Sequence, residues 1–153
     1  MVLAAQGKST LASRIVAEVP GMVVHTDDFA AWDNQFNWWP RLLERVLLPL
    51  SRNKAARYQR FDWDIQRLAE WHTIEPGSLV VLEGVSSSRA KFRPFLSLTV
   101  WVDTPRELRL KRGNERDGEG MREAWLGWMA AEDEWAVEED ARAHANLVIS
   151  GTR

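Results

Sequence analysis

The chain contains no cysteine, which excludes a disulfide framework, a thiol nucleophile and a thiolate zinc site. Its three histidines, His25, His72 and His144, are too scattered to suggest a metal cluster. Neither charge dominates. Lys+Arg 20 against Asp+Glu 22 gives a formal net charge of −2, and without a basic block the sequence argues against DNA or RNA as a partner. No stretch approaches the roughly 18 uninterrupted apolar residues of a membrane span. The N-terminal residues also lack the charged-then-apolar order of a signal peptide, so the expectation is a cytoplasmic protein that does not contact a membrane. Repeats, low-complexity tracts and Pro/Gly/Ser linkers are missing as well, and residues 1–153 read as a single domain long enough to bury a core. Tyrosine occurs once and phenylalanine five times, yet tryptophan occurs nine times. That excess fits either a heavy aromatic core or an aromatic substrate pocket, and composition does not choose between them.

Short β-branched runs alternate with amphipathic stretches. Leu11, Ile15, Val16 and Val19 fall on one face of a helix beginning at Lys8, and Pro20-Gly21 stops it. Met22 to Thr26 is a short apolar run of strand type. Pro40 suits a first helical turn, and Leu42, Leu43, Val46, Leu47 and Leu50 form the apolar face of a helix that Pro49 limits. Leu79-Val80-Val81-Leu82 reads as a strand covered on both faces, and Leu98 to Val102 as another. Thr104-Pro105 with Glu107 marks a helix start. Met121 to Ala143 is a long helical stretch, and Asn146 to Ile149 a last strand. Strands separated by helices require crossover connections, and therefore a mostly parallel sheet in an α/β layer fold.

Gly7-Lys8-Ser9-Thr10 opening a helix is the most informative tetrapeptide. Glycine lets the backbone wrap an anion, and first-turn N–H groups point at phosphate oxygens. Lys8 has the reach for the β- and γ-phosphates, and Ser9 supplies a hydroxyl for Mg²⁺. The full phosphate-loop (P-loop) pattern has a glycine five positions earlier, where this chain has Val2, and it follows a strand, for which six residues are too few. The expectation is a three-layer P-loop NTPase fold whose first strand is missing here. Either the start lies upstream, or the strand and half the anion cradle have been lost, leaving weak ATP binding and reduced stability.

Ligands of open α/β sheets collect at the carboxyl ends of strands, and two strands here end in acids: Asp27-Asp28 after the first, Glu83 after Leu82. Phosphoryl transfer to a hydroxyl needs one carboxylate for the proton and another acid for Mg²⁺, usually through water. Asp27 suits the first task and Glu83 the second; Asp28 is the weaker candidate and suits a cap on the following turn. Arg109, Lys111, Arg112, Arg116 and Arg122 lie along a helix and the glycine-bearing segment Gly113 to Gly120. They read as a mobile lid over the migrating phosphoryl group at about residues 112–122, with Arg112 and Arg116 preferred.

Together, Gly7-Lys8-Ser9-Thr10, Asp27-Asp28-Phe29, Glu83-Gly84-Val85, Val102-Asp103-Thr104 with Arg109-Leu110, and Arg116-Asp117 resemble the uridine kinase branch of the P-loop nucleoside kinases. The resemblance implies an ATP- and Mg²⁺-dependent kinase with Asp27 as base and an acceptor-binding insert at about residues 29–76. Its implied nucleotide residues are Gly7, Lys8, Ser9, Thr10, Arg112, Arg116 and Arg122. Trp32-Asp33-Asn34 is the nearest match to the family's sugar-binding segment, which makes Asp33 a sugar ligand, and Phe61-Asp62-Trp63 corresponds to its base-proximal Tyr-Asp-Phe. Trp32 and Trp63 are the candidates for stacking on a base, while Trp101, Trp125, Trp128 and Trp135 suit a core. Asp-Asp-Phe also looks like nicotinamide riboside kinases, so that acceptor stays open, as does a noncatalytic nucleotide-binding remnant.

Overall fold

The computed structural model describes residues 7–31 and 33–152. The strand expected ahead of Gly7, Val2 and Trp32 lie outside those residues. Contacts gather into two units, Leu11–Glu83 and Gly84–Arg153, with residues 7–10 belonging to the second.

Helix α1 (Lys8–Glu18) starts at the lysine of the Gly7-Lys8-Ser9-Thr10 tetrapeptide. Of its apolar face only Ala12 is buried, and Val19, expected on that face, is half exposed beyond the helix end. In the first unit β1 (Gly21–His25) pairs in parallel with β4 (Leu79–Glu83), Val24 opposite Leu82 and His25 opposite Glu83. The β-branched runs supply both strands. Leu79 is exposed, so β4 is not covered along its whole length as expected.

Between them, α2 (Trp39–Leu42) and α3 (Leu48–Ser51) are joined by a π-helical turn, Leu43–Leu47. Pro49 therefore does not end the helical run as its sequence position suggests. Proline cannot donate to the preceding turn, and its ring crowds the carbonyl there. The wider π turn, closed by Leu48 N–H to Leu43 O, absorbs that crowding and lets the chain continue to Ser51. An antiparallel hairpin follows, β2 (Ala56–Asp62) with β3 (Arg67–Ile74), irregular in register between Gln59 and Phe61. Val24, Phe29, Trp38, Leu42, Val46, Ala56, Tyr58 and Ile74 form this unit's core.

In the second unit β5 (Val100–Asp103) pairs in parallel with β6 (Leu147–Ser150). Leu98, expected in the strand, lies before it and is exposed. Helices α4 (Arg106–Asp117) and α5 (Arg122–Glu138) connect the two strands. The capping position of α4 is Pro105, with no side-chain cap, and Thr104 is buried instead. The long helix expected to Ala143 ends at Glu138 and gives way to turns. Val85, Phe92, Val102, Trp125, Trp128, Met129 and Ala141 make the core here. No helix among the described residues is long and apolar enough to cross a membrane.

Gly113, read as the start of the glycine-bearing lid segment, belongs to the helix. It lies inside α4 and is buried, and a Cβ there would come within 2.8 Å of the Trp125 ring. The glycine therefore serves close packing of α4 against α5. The chain breaks at Gly118, whose φ of 87° is one that side chains resist.

Candidate active site

Each unit carries one set of the residues singled out above. In the second unit, Gly7 has φ 85° with nothing near its missing Cβ, so backbone conformation, rather than space, calls for glycine at this position. Lys8, Ser9 and Thr10 follow as the first turn of α1, the end of a helix whose dipole favours an anion. Lys8 Nζ lies 3.3 Å from Glu132 Oε1 on α5. Glu132 Oε2 is also 3.6 Å from Arg109, whose other guanidinium nitrogen reaches Asp133 Oδ1 at 2.8 Å.

Two of the arginines expected to close over phosphate, Arg112 and Arg116, are engaged within the unit. Arg112 donates to the Gly151 carbonyl at 2.7 Å. Arg116 holds Asp117 at 2.9 and 3.0 Å and lies 5.1 Å from the centre of the Trp125 ring. That pair keeps the Asp117 carboxyl below its ordinary range. Arg122 is exposed at the start of α5.

In the first unit, the parallel register of β1 and β4 sets His25 beside Glu83 at the strand ends, and His25 Nδ1 donates to Glu83 Oε2 at 2.7 Å. Glu83 is buried. Its hydrogen bond raises the His25 pKa against the opposing effect of burial, aided by the charges of Glu83, Asp28 and Asp27. His25 therefore holds its proton more tightly folded than unfolded. The stabilisation is complete below about pH 6.5 and is lost as pH rises through the raised value. The stability advantage of wild type over His25→Gln should shrink from pH 6 to pH 9, read by urea denaturation; a gap independent of pH would contradict this pairing.

The chain then makes a 3₁₀ turn, Thr26–Asp28, in which Thr26 is buried and its carbonyl accepts from Phe29 N–H at 3.0 Å. The two acids of this turn diverge in role. The Asp27 carbonyl accepts from the Trp63 indole N–H at 3.0 Å, and Phe61 meets the Trp63 ring edge-on at 5.8 Å. The Asp28 carboxylate accepts from the Tyr58 hydroxyl at 3.0 Å, while its carbonyl accepts from Arg41 at 2.6 Å. Burial pushes the Asp28 carboxyl above the usual range, opposed by Tyr58. Phe29 stacks on Tyr58 at 4.9 Å, and Tyr58 on His72 at 5.2 Å. Asp33 is exposed.

The fold thus brings Asp27, Trp63 and Phe61 together, and Glu83 with His25. Tyr58, Arg41, His25 and Glu132 contact the candidate residues without having been singled out by the sequence. Only Tyr58 carried a signal: it is the one tyrosine in the chain. Ser9 in one unit and Glu83 in the other each carry oxygen donors, the ligand type that Mg²⁺ takes.

No protein-family model matches the chain, and no curated protein matches it in sequence. Among solved structures, it is similar to one described as a possible uridine kinase from Bacillus stearothermophilus, at 19% identity and a TM-score of 0.71. The match covers 96% of this chain and 84% of that one. What is shared at that identity is the fold, an α/β arrangement of parallel strands flanked by helices.

Proposed function

We propose that the chain is an ATP-dependent kinase that moves the γ-phosphate to a hydroxyl of a nucleoside-like small molecule, with uridine or cytidine as the foremost acceptors. The observation that carries this reading is Gly7 in a left-handed conformation leading into a helix whose first turn is Lys8-Ser9-Thr10. A kinase-like fold and acids at the ends of two parallel strands support it.

In this mechanism the first turn of α1 receives the nucleotide's phosphates, with Lys8 as point charge. Asp27 takes the proton of the acceptor's 5′-hydroxyl. The oxygen so freed bonds to the γ-phosphorus while the bond to the β-phosphate oxygen breaks, releasing ADP. Trp63, donating to the Asp27 carbonyl, holds the base in place. Asp33 orients the sugar, Trp32, Phe61 and Trp63 contact the base, and Arg112, Arg116 and Arg122 stabilise charge on the transferred group. Ser9 and Glu83 are the donors assigned to Mg²⁺, which when bound neutralises phosphate charge.

The test is ADP release by the purified full chain with Mg²⁺ and ATP against a panel of nucleosides, nicotinamide riboside and sugars. Release stimulated by a ribonucleoside supports the reading, and the strongest acceptor decides between a pyrimidine nucleoside and nicotinamide riboside. ATP bound without release for any acceptor would reassign the chain to nucleotide binding alone, the reading that Val2 in place of the loop's first glycine favours.

A further inference from the structure

Glu132 is an acid in an unusual place. It lies on α5 between residues of the core, with Trp128 and Met129 buried one turn earlier, and is itself only 7% exposed. A carboxylate withdrawn from water to that extent is costly unless cations compensate it. Two do. One oxygen is 3.3 Å from Lys8 Nζ and the other 3.6 Å from Arg109. Both cationic side chains are themselves mostly covered, at 16% and 11% exposure.

Two cations gripping two oxygens of one anion is the way a protein holds a phosphate. Arg109 has donor capacity to spare, because its Nε is buried with no hydrogen-bond partner among the described residues. That orphaned N–H is what an arriving oxyanion satisfies. Asp133 on Arg109 is 43% exposed and so more strongly screened by water than Glu132.

We propose that Glu132 is a built-in stand-in for phosphate. Its carboxylate occupies Lys8 and Arg109 and must give up at least one of them when a polyphosphate binds. Arg109 is then a direct phosphate contact, and Glu132 sets the affinity by competing for the cations. The inference rests on the reading of Lys8 as a phosphate-binding residue and adds an acid that opposes binding.

The sign of the effect separates this role from a structural one. A residue that merely braces the site weakens binding when replaced, whereas a competitor strengthens it. Calorimetric titration of inorganic tripolyphosphate and of ATP into full-length wild type and Glu132→Gln should show the variant binding both at least roughly ten-fold tighter, the scale that removing one charge at this distance carries even under water-like screening. The gain should vanish in the double variant Lys8→Met/Glu132→Gln. Glu132→Asp keeps the charge but shortens its arm, so it should tighten binding by less, and it replaces Glu132→Gln if circular dichroism shows that variant unfolded. Equal or weaker binding by a folded variant, with wild type still binding, overturns the proposal and leaves the phosphate reading of Lys8 standing. If neither wild type nor any folded variant binds tripolyphosphate or ATP, the Lys8 reading itself falls, and this proposal with it.

Discussion

Replacing Asp27 by Asn should lower kcat by about three orders of magnitude while leaving ATP affinity within a few-fold of wild type. Asn has nearly the same size, but it cannot take a proton from a hydroxyl at neutral pH. The backbone on which it stands is held independently of the side chain. Thr26 is buried at the start of the turn, and Trp63 donates to the Asp27 carbonyl, which Asn retains. Asp28→Asn provides the contrast. Its carboxylate is already committed to Tyr58 and lies among Phe29, Tyr58 and Arg41, so that change should act on stability and acceptor binding more than on the chemical step. Steady-state kinetics with a saturating acceptor, alongside ATP titration, reads both variants. An Asp27→Asn enzyme that loses ATP binding yet turns over normally per bound complex would reverse the assignment.

Trp125→Ala should cost about 3–5 kcal/mol of folding free energy, a large part of the roughly 5–15 kcal/mol available to a domain. Trp125 is 3% exposed, its ring rests on the bare backbone of Gly113, and its N–H donates to Asp117 Oδ2 at 3.0 Å. Removing the ring opens a cavity between α4 and α5 that no nearby side chain on α4 can fill, since the facing position is glycine. It also strips Asp117 of one partner and Arg116 of the ring it stacks over. Urea denaturation gives the number, and a loss below about 1 kcal/mol would mean that the two helices do not depend on this contact. Trp125→Phe keeps most of the volume without the N–H and should fall well short of the alanine cost.

What the sequence disclosed was local. The helix start at Lys8, the strand runs at residues 22–26 and 79–82 and the helix from Arg106 are each written in consecutive residues, and each lies where the periodicity placed it to within a residue or two. The hairpin of β2 and β3 was not legible. Its alternation of Ala56 and Tyr58 is interrupted by the irregular register at Gln59 to Phe61, and most of β3 faces solvent, with Leu68 and Trp71 about half exposed. A strand that buries little carries little hydrophobic signal. Pro49 misled for a different reason: propensity describes the α-helix, whereas the chain used a π turn.

The site divides the same way. Asp27 and Glu83 are found by their position after a strand, which is a local feature. The partners that give them character come from elsewhere in the chain. Tyr58 reaches Asp28 from thirty positions away and Glu132 reaches Lys8 from 124. Such pairings are properties of the fold, and no spacing rule encodes them. Gly113 shows the converse: grouped in sequence with Gly118 and Gly120, it is set apart from them by the Trp125 ring lying on it.

The most direct test of the central claim is detection of the phosphorylated acceptor itself. The purified full chain should be incubated with Mg²⁺, ATP and each acceptor in turn, with the product identified by mass spectrometry and ³¹P NMR. Wild type should form a nucleoside 5′-monophosphate in step with ADP, and Asp27→Asn almost none. Folded wild type that binds ATP but yields no phosphorylated product from any acceptor, or an Asp27→Asn variant that yields as much as wild type, would contradict it.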